Sequence, residues 1–381
     1  MRIVHFGTYS MKEGCPRNVV IAKSLQAAGV DVIPCHHEAW GNTAERVRGV
    51  TNIYETLKIF FRIIKAWAVL TRQYLFHTPN HDLVLVGYPG YFDIFLARLL
   101  AGIRSKKVVL DAFISLHEAV VEDRKLLPPH SLKARLLKFI DRSSSRIAHV
   151  VLLDTKAHIR YYNDEARITT NCFIRVFVGA NEEYFNYRAN ASRQAHGQVL
   201  FFGSFLPLHG TDVIVKAAAK LKHDKSLTFS MVGNGPEWEK CVMLAQNSGT
   251  EIKWEPGWIN YCDLSERIAE SEICLGIFSK ESKAQRVIPC KVFNILAMGK
   301  PLITAKTPAS QEAFTHGENA YLIPPGDPDA LAEAVTFLHN NPPLRETLAF
   351  GGLNLYRNRF SYRALGKTLV EDFKRSFSTS R

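Results

Sequence analysis

The sequence lacks several features that would mark a secreted, zinc-binding or membrane-spanning protein. Its seven cysteines are scattered over 381 residues, and none stands in a C-x-x-C pair. This spacing argues against a disulfide framework and against a zinc site, and it is typical of a protein in the reducing cytoplasm. The first residues, RIVHFGTYS, follow a strand pattern rather than that of a signal peptide.

Two signatures of nucleotide and nucleic-acid binding are also missing. The loop after the first predicted strand, GTYSMKEG, does not supply the G-x-G-x-x-G sequence of a dinucleotide oxidoreductase. Aromatic residues do not alternate with basic ones as they do on a surface that stacks nucleic-acid bases. No repeat of solenoid length and no low-complexity tract is present. These absences favour a globular enzyme or binding protein that does not bind nucleic acid.

The charge is unevenly distributed along the chain, which has a net charge of +12. Residues 1–180 contain 25 basic and 15 acidic residues, residues 181–350 contain 16 and 19, and residues 351–381 contain 7 and 2. The first half and the C-terminal segment are therefore basic. A basic domain favours an anionic partner, such as a membrane surface, a nucleic acid or a phosphorylated substrate.

Strand and helix patterns alternate through both halves, which predicts an α/β fold of parallel sheets with helices on both faces. The predicted strands are 2–7, 30–35, 82–87, 107–112, 148–153, 199–203, 227–232, 251–255, 272–278, 301–305 and 320–323. The predicted helices include 17–28, 52–76, 91–101, 131–146, 155–163 and 327–340.

The length of the chain predicts more than one domain, because a single core usually divides beyond about 250–300 residues. We predict two doubly wound domains, 1–180 and 181–352, with the polar segment 186–198 as the best linker. The last segment, 353–381, is helical and basic, and we predict that it crosses back onto the first domain.

The stretch VIPCKVFNILAMGKPLIT, residues 287–304, predicts a loop, a helix, a tight turn and a buried strand. Pro289 suits the first helical turn and Gly299 ends the helix. A helix N-terminus offers unpaired N–H groups and a positive dipole end, so it attracts phosphate. Lys291 adds a positive charge there, and Asn294 follows about one turn later. The alternative is an ordinary helix of an α/β domain.

The helix predicted over 52–76 has a long apolar core that four basic residues interrupt: Lys58, Arg62, Lys65 and Arg72. A membrane-spanning helix needs about 20 mostly uncharged residues, so this segment does not fit one. The basic residues recur on one side, and Ile59, Phe60, Ile63, Ile64, Trp67 and Leu70 lie on the other. Such a helix can lie in a membrane interface. It can equally dock on its own sheet with a solvated basic face.

Four further segments of the second half carry a family resemblance: FFGSFLPLHG (201–210), LTFSMVGNGPE (227–237), GWIN (257–260) and TPASQEAFTHGENAYLIPPGDPDALAEAV (307–335). Together with 287–304, they resemble in order and spacing the GT-B glycosyltransferases. The similarity is to the large retaining family 4 of nucleotide-sugar enzymes, the glycosyl transferases group 1.

This resemblance implies two Rossmann-like domains facing a cleft, with the acceptor bound mainly by the first domain and the donor by the second. It implies retaining transfer from a nucleotide sugar to a glycan or a polyprenyl- or lipid-linked acceptor at the cytoplasmic membrane face. No cofactor or metal is implied, since no DxD-type acidic pair lies in a suitable loop. The implied donor-binding residues are Gly7, Gly203, Ser204, His209, Gly233, Asn234, Gly235, Trp258, Ile259, Lys283, Arg286, Cys290, Lys291, Val292, Asn294 and Glu312.

The chain departs from the family pattern at charged positions. Two family glutamates correspond to Arg286 and Asn294, and the Arg and Lys of the phosphate loop correspond to Ser204 and His209. Lys291, with Arg286 and Lys283, would then supply the positive charge.

In the first domain, the loop that begins at Gly7 matches one that approaches the sugar diphosphate and acceptor in the family. His117 with Glu118, in FISLHEAVVEDRK (113–125), is the nearest match to the family residue beside the transferred sugar, which implies a catalytic role. Glu312 has a second interpretation as a cap on the dipole of a late helix.

Two other readings stay open. Loss of both family glutamates is compatible with a non-catalytic GT-B protein that acts as a binding or partner subunit. A nucleotide-sugar epimerase of the same fold is the other alternative.

Overall fold

The computed structural model describes residues 1–11, 16–40, 52–164, 166–168, 172–187 and 196–378. The chain forms two compact units, one of Met1–Phe177 with Leu365–Arg381 and one of Val178–Ala364. Most of the predicted linker, residues 188–195, lies outside the described residues.

The first unit is built on six strands: β1 Arg2–Gly7, β2 Asp31–His36, β3 Leu83–Val86, β4 Lys107–Asp111, β5 Val150–Leu153 and β6 Phe173–Arg175. They pair in the order β2-β1-β3-β4-β5-β6, and every pairing is parallel. β3 and β5 are buried along their whole length, as strands covered on both faces must be. The strand β6 was not predicted from the sequence.

In the described residues, five helices connect these strands: α1 Pro16–Ala27, α2 Ile53–Arg72, α3 Asp93–Ile103, α4 Leu132–Ile147 and α5 Lys156–Asp164. Each lies within two residues of a predicted helix, except that α2 ends early and continues as a π-helix, Gln73–His77. The hydroxyl of Ser131 caps α4 by accepting from the backbone N–H of Ala134.

The second unit has its own parallel six-stranded sheet: β7 Gln198–Phe202, β8 Thr228–Gly233, β9 Ile252–Pro256, β10 Ile273–Leu275, β11 Leu302–Ala305 and β12 Tyr321–Ile323. The strand order is β12-β11-β10-β7-β8-β9. The chain therefore moves outward from β7 on one side and then returns to build the other side from β10. The carboxyl ends of β7 and β10 form the switch point at which open α/β sheets bind ligands.

The helices that follow are α6 Thr211–Lys220, α7 Trp238–Ser248, α8 Tyr261–Glu270, α9 Cys290–Ala297, α10 Pro328–His339, α11 Pro342–Leu355 and α12 Tyr362–Ser378. The segment that belongs to the first unit starts at Leu365, within α12, whereas the sequence placed this crossing at residue 353. Leu369 and Phe373 of α12 pack with Ile21 and Leu25 of α1 in one core.

The opposite face of the first sheet is covered by α2 and α3. Leu70 and Tyr74 pack there with Ile94, Ala97 and Leu100. Among the described residues, no helix combines the length and the apolar character needed to cross a membrane.

The two sides of α2 differ from the prediction. Ile63, Ala66 and Leu70 are buried, but Phe60 and Ile64, which the prediction placed on the same apolar side, are exposed. The buried face of α2 is therefore rotated relative to the predicted one. It consists of small and aliphatic residues at positions i, i+3 and i+7, which are enough to pack against the sheet. Apolar side chains therefore remain on the outer surface among the basic ones.

A fully buried ion pair joins α1 to the sheet of the first unit. The Nε of Arg17 lies 2.9 Å from Oδ2 of Asp111, and the guanidinium also donates to the carbonyls of Val176 and Phe177. Burial raises the pKa of Asp111, and the charge of Arg17 opposes that rise. The ion pair and these hydrogen bonds therefore connect α1 to the end of β4 and to the residues that follow β6.

Removing one partner of this pair would leave a buried carboxylate uncompensated. We expect Arg17→Met to lower the free energy of unfolding by about 3–5 kcal/mol. The control is Arg2→Met, because Arg2 and Asp31 form an exposed pair of the kind that contributes at most about 1 kcal/mol. Urea denaturation of both variants measures the difference. Equal losses in the two variants would show that burial does not govern the Arg17 pair.

Candidate functional site

Two glycine turns lie in contact at the carboxyl edge of the second sheet. Gly203 follows β7 and Gly233 ends β8, with φ angles of 129° and 131° that favour glycine. A Cβ on Gly233 would overlap the carbonyl oxygen of Gly203. Asn234 accepts from the N–H of Phe205, and a Cβ on Gly235 would lie 2.6 Å from that same nitrogen. The predicted glycines therefore allow two loop backbones to pack directly on each other.

The loop after Gly203 turns through a short 3-10 helix, Pro207–His209, and enters α6 at Gly210, which has φ 63°. The Nδ1 of His209 contacts the carbonyl oxygen of Ser204, which can only accept, so Nδ1 carries the proton. Burial lowers the pKa of His209 well below its usual value, and the nearby charge of Lys291 lowers it further. The lowered pKa favours the neutral imidazole form of His209.

Lys291 lies at the centre of this edge. Its side chain is 3% exposed, and its Nζ stands 3.8 Å from the centroid of the Phe201 ring. The same Nζ would be 3.0 Å from a Cβ on Gly203. No described residue accepts a hydrogen bond from it. Burial therefore lowers the pKa of Lys291 well below its usual value.

The helix that carries Lys291 has an uncapped N-terminus. α9 starts at Cys290, with Pro289 as the N-cap residue rather than in the first turn, and no side chain caps it. Its first turn thus offers backbone N–H groups to an anion. Burial raises the pKa of the Cys290 thiol, which is therefore neutral. Val292 and Asn294 are buried on the same helix.

The other predicted cations are Lys283, which begins a second 3-10 helix, Lys283–Gln285, and Arg286, which is the C-cap of that helix. This helix packs against the turn Pro207–His209. Lys283 and Arg286 are both buried, and Arg286 donates to the hydroxyl of Ser282 at 2.7 Å. The segment brings positive charge to the loop that holds His209. The two positions that carry glutamates in the resembling family are therefore occupied here by a cation, Arg286, and an amide, Asn294.

Two further predictions on this unit have different outcomes. Gly257 donates to the carbonyl of Gly233 at 3.1 Å, which ties Trp258 and Ile259 to the same loop edge. Glu312 ends a 3-10 helix, Ser310–Glu312, whereas the late helix α10 is capped by Asp327. Glu312 is thus an acidic residue in the first turn of this short late helix. Its donor-binding role and its interpretation as a dipole cap both stay predictions.

The first unit contains the other predicted site residues. Gly7 ends β1, and a Cβ there would lie 2.9 Å from Oδ2 of Asp93. Thr8, the next residue, donates to this oxygen from its backbone and its hydroxyl at 2.7 Å. The Trp67 indole donates to the other carboxylate oxygen. The loop predicted to begin at Gly7 is thus fixed to α3, while Gly14 lies outside the described residues.

His117 and Glu118 lie in a helical segment, not in an open surface loop. Glu118 accepts from the N–H of Ser115 and donates its own N–H to the Ser115 hydroxyl, which is the arrangement of a capping box. The Glu118 carboxylate is fully buried, 2.9 Å from Nε2 of His158. These contacts argue against a direct catalytic role for Glu118. His117 is also buried, but its Nε2 has no hydrogen-bond partner among the described residues.

Two residues that the sequence did not identify hold this segment. Asp141 on α4 accepts from the backbone N–H groups of Leu116 and His117 at 2.9 and 3.0 Å. His158 on α5 contacts Asp154 at 2.7 Å as well as Glu118. The Ser-x-x-Glu spacing at Ser115 could have predicted the capping box. Nothing in the sequence pattern could have paired this segment with residues 24 to 40 positions away.

The stabilisation that this cluster provides depends on pH through the protonation of His158. Burial alone lowers the pKa of His158, but the carboxylates of Glu118 and Asp154 overcome it and raise the pKa to about 9. The unfolded value is about 6.5, so the stabilisation is complete below that pH and is lost as pH rises towards 9. Burial raises the pKa of Asp141 to about 7, which favours its neutral form.

We therefore expect thermal stability to fall between pH 6.5 and 9, by on the order of 1–3 kcal/mol from His158. His158→Gln should remove most of this slope, since glutamine keeps hydrogen bonds but cannot titrate. Melting temperatures of both proteins across this pH range measure it. A slope that survives in the variant would assign the pH dependence to another group.

Among the described residues, one group has the spacing of a metal site: His196, Glu272 and His339, with ligand atoms within 4.8 Å of one another. It lies at the amino edge of the second sheet, because Gly197 and Glu272 directly precede β7 and β10. Both His339 nitrogens already have partners, and Arg345 lies 3.5 Å from Glu272. The cluster is an ion-pair network at the edge opposite to Gly203.

Comparison with solved structures identifies the fold class. HepE of Anabaena in complex with UDP superposes with a TM-score of 0.68 at 15% identity, covering 98% of this chain and all of that one. Sucrose-phosphate synthase from Thermosynechococcus elongatus gives 0.69 at 17% identity and covers both chains completely. The protein has the GT-B fold of two Rossmann-like domains.

Sequence comparison relates part of the second unit to a known family. Residues 196–341 match the profile of the family described as glycosyl transferases group 1. A lipopolysaccharide core biosynthesis glycosyltransferase, LpsD of Rhizobium meliloti (strain 1021), is 26% identical over 46% of this chain and 49% of its own length. Alpha-D-kanosaminyltransferase of Streptomyces kanamyceticus is 20% identical over 74% of this chain and 73% of its own. The chain thus has the GT-B fold, and residues 196–341 of its second unit resemble the group 1 glycosyltransferases. Its match with LpsD spans about half the length of that protein.

Proposed function

We propose that the protein is a glycosyltransferase that moves a sugar from a nucleotide-sugar donor to an acceptor hydroxyl. One observation carries the proposal: a buried lysine without an internal partner, Lys291, faces glycine backbone at the carboxyl edge of the second sheet. A diphosphate supplies the negative charge that this ammonium lacks. The matched family and the named curated relatives, which are glycosyltransferases, support the same activity.

The chemistry follows from the leaving group. Cleavage of the sugar–phosphate bond places growing negative charge on the diphosphate. Lys291 and the free N–H groups at the start of α9 would stabilise that charge in a site with little water, where such contacts are strongest. His209, neutral when the site is empty, would accept from a donor hydroxyl through Nε2 or would take up a proton beside the phosphate.

Replacing Lys291 should have opposite effects on the stability of the unliganded protein and on its stabilisation by ligand. We expect Lys291→Met to make the unliganded protein more stable, because a buried polar group without a partner costs about 1–3 kcal/mol. The same change should abolish the stabilisation, about 2.7 kcal/mol at 100 times Kd, that a bound nucleotide sugar gives the wild type. Thermal shift with UDP-, GDP- and ADP-sugars measures both effects.

Lys300→Met is the matched control. Lys300 is buried in the same unit, and burial also lowers its pKa, but it lies beyond the C-terminal end of α9. This variant should retain the ligand-induced shift. A Lys291→Met protein that still responds to the donor would disprove the assignment of the diphosphate site.

We propose that transfer needs no divalent metal, since cations and helix N–H groups can offset the diphosphate charge alone. The metal-like cluster of the described residues lies at the other edge of the sheet, next to Arg345. We expect activity to persist after treatment with EDTA and to change less than about twofold on adding Mg²⁺, a change of under 0.5 kcal/mol in barrier. Loss of activity that only a divalent ion restores would contradict this.

We further propose a glycan or polyprenyl- or lipid-linked acceptor, bound mainly by the first unit at the cytoplasmic membrane face. The basic charge of residues 1–180 and the cations Lys58, Arg62, Lys65 and Arg72 on α2 support an anionic surface as partner. His117, with its unpartnered Nε2, is the proposed contact to the transferred sugar. Retention of configuration and membership of family 4 rest on the resemblance to that family.

The rival function is a non-catalytic GT-B subunit, motivated by Arg286 and Asn294 at the two glutamate positions. Both proteins would show the thermal shift. Only the enzyme would release nucleoside diphosphate from the donor that stabilises it, at a rate that falls in the His117→Ala variant.

A further inference from the structure

The outer surfaces of α2, α3 and α4 carry apolar side chains that the core of the first unit does not use. Twelve of the twenty large hydrophobic side chains exposed among the described residues lie on these three helices. Soluble monomers rarely leave so large a patch uncovered unless it binds something. The second unit is of similar size, but only five of these exposed side chains lie on it: Tyr187, Met243, Trp258, Phe337 and Phe350.

The exposed residues form one outward stripe on each helix. On α4, Leu132, Leu136 and Phe139 follow the i, i+4, i+7 spacing of a single face and are 82%, 56% and 65% exposed. The α3 stripe consists of Phe95, Leu99 and Ile103, and the α2 stripe of Tyr54, Leu57, Phe61 and Ile64. α3 contacts both α2 and α4, so the stripes are neighbours on one side of the sheet.

The charges on these helices are almost all positive. The three helices contain ten Lys and Arg residues and three acidic residues. Of the acids, Asp93 and Asp141 are buried, which leaves Glu55. Lys133, Arg135 and Lys138 flank the apolar stripe of α4, as Lys58, Arg62 and Lys65 flank that of α2. A shallow groove on α2 is lined by both kinds of side chain.

We propose that this three-helix face docks on an anionic lipid bilayer, with its apolar stripes entering the interface and its basic side chains contacting the headgroups. Aromatic and aliphatic residues surrounded by Lys and Arg are what binding at a membrane interface requires. A protein partner of ordinary composition would not need a nearly uniform positive charge around its apolar contacts.

The docking face also lies beside the proposed acceptor site. In a parallel α/β unit, helices start at the carboxyl edge of the sheet. The exposed residues of α2 and α4 are concentrated in their N-terminal halves, near the edge where Gly7 and the segment of His117 lie. A lipid-linked acceptor could keep its tail in the bilayer while its sugar reaches that edge. This connection rests on the proposed function, whereas bilayer docking itself does not.

The test uses vesicles of phosphatidylcholine with or without phosphatidylglycerol and a triple variant, Leu132→Ser, Leu136→Ser and Phe139→Ser. The matched control replaces three exposed residues of the second unit, Met243→Ser, Phe337→Ser and Phe350→Ser. We expect the wild type and the control to co-sediment with anionic vesicles. The α4 variant should bind at least about tenfold more weakly, because three apolar side chains no longer leave water.

A charge variant, Lys133→Gln, Arg135→Gln and Lys138→Gln, separates the two contributions. It should lose affinity at about 0.15 M salt and resemble the wild type at high salt, where surface charges are screened. Equal vesicle binding by the α4 variant and the wild type would overturn the proposal. So would a wild type that ignores vesicles but forms a dimer, in sedimentation velocity, that the α4 variant does not form.

The donor thermal shift is measured on the same variants, and both should retain it. A normal shift with no vesicle binding would refute the docking face alone. Vesicle binding without any shift would refute the proposed function and leave the docking face intact.

Discussion

The arrangement of the second unit depends most on Lys291, a buried amino group without a hydrogen-bond partner among the described residues. A side chain that is 3% exposed and lacks a hydrogen-bond acceptor is costly to keep. Its surroundings do not offset this cost, since the Phe201 ring provides only a partial counter-charge. The glycines at 203, 233 and 235 allow the loops to pack closely, so Lys291 lies against glycine backbone rather than beside a carboxylate. An anionic ligand accounts for all of these features at once.

The first unit buries acidic groups instead of a lysine. It buries several carboxylates, and each contacts a particular partner: Arg17 for Asp111, His158 for Glu118 and Asp154, and backbone N–H groups for Asp141. These contacts fix the segment that carries His117. The remaining unpartnered nitrogen of His117 is therefore held in a rigid frame. Rigid support of a group that meets the substrate is what precise positioning needs.

Sequence reasoning recovered the elements that depend on local periodicity. Alternating apolar runs predicted the strands, and Gly203, Gly233 and Gly210 marked turns where positive φ is required. It failed where the answer depended on distant residues. The inward face of α2 is set by which side meets the sheet, and the role of Glu118 is set by His158, 40 positions away.

The most direct test of the central claim is proton uptake on binding. Isothermal titration calorimetry of the stabilising nucleotide sugar, in two buffers with different ionisation enthalpies, measures it at a series of pH values below the usual lysine pKa of about 10.4. A diphosphate that pairs with Lys291 raises the pKa of that ammonium from its lowered value, so the complex should take up protons. The Lys291→Met protein should show no such uptake. Tight binding with no proton exchange, unchanged in that variant, would contradict the account.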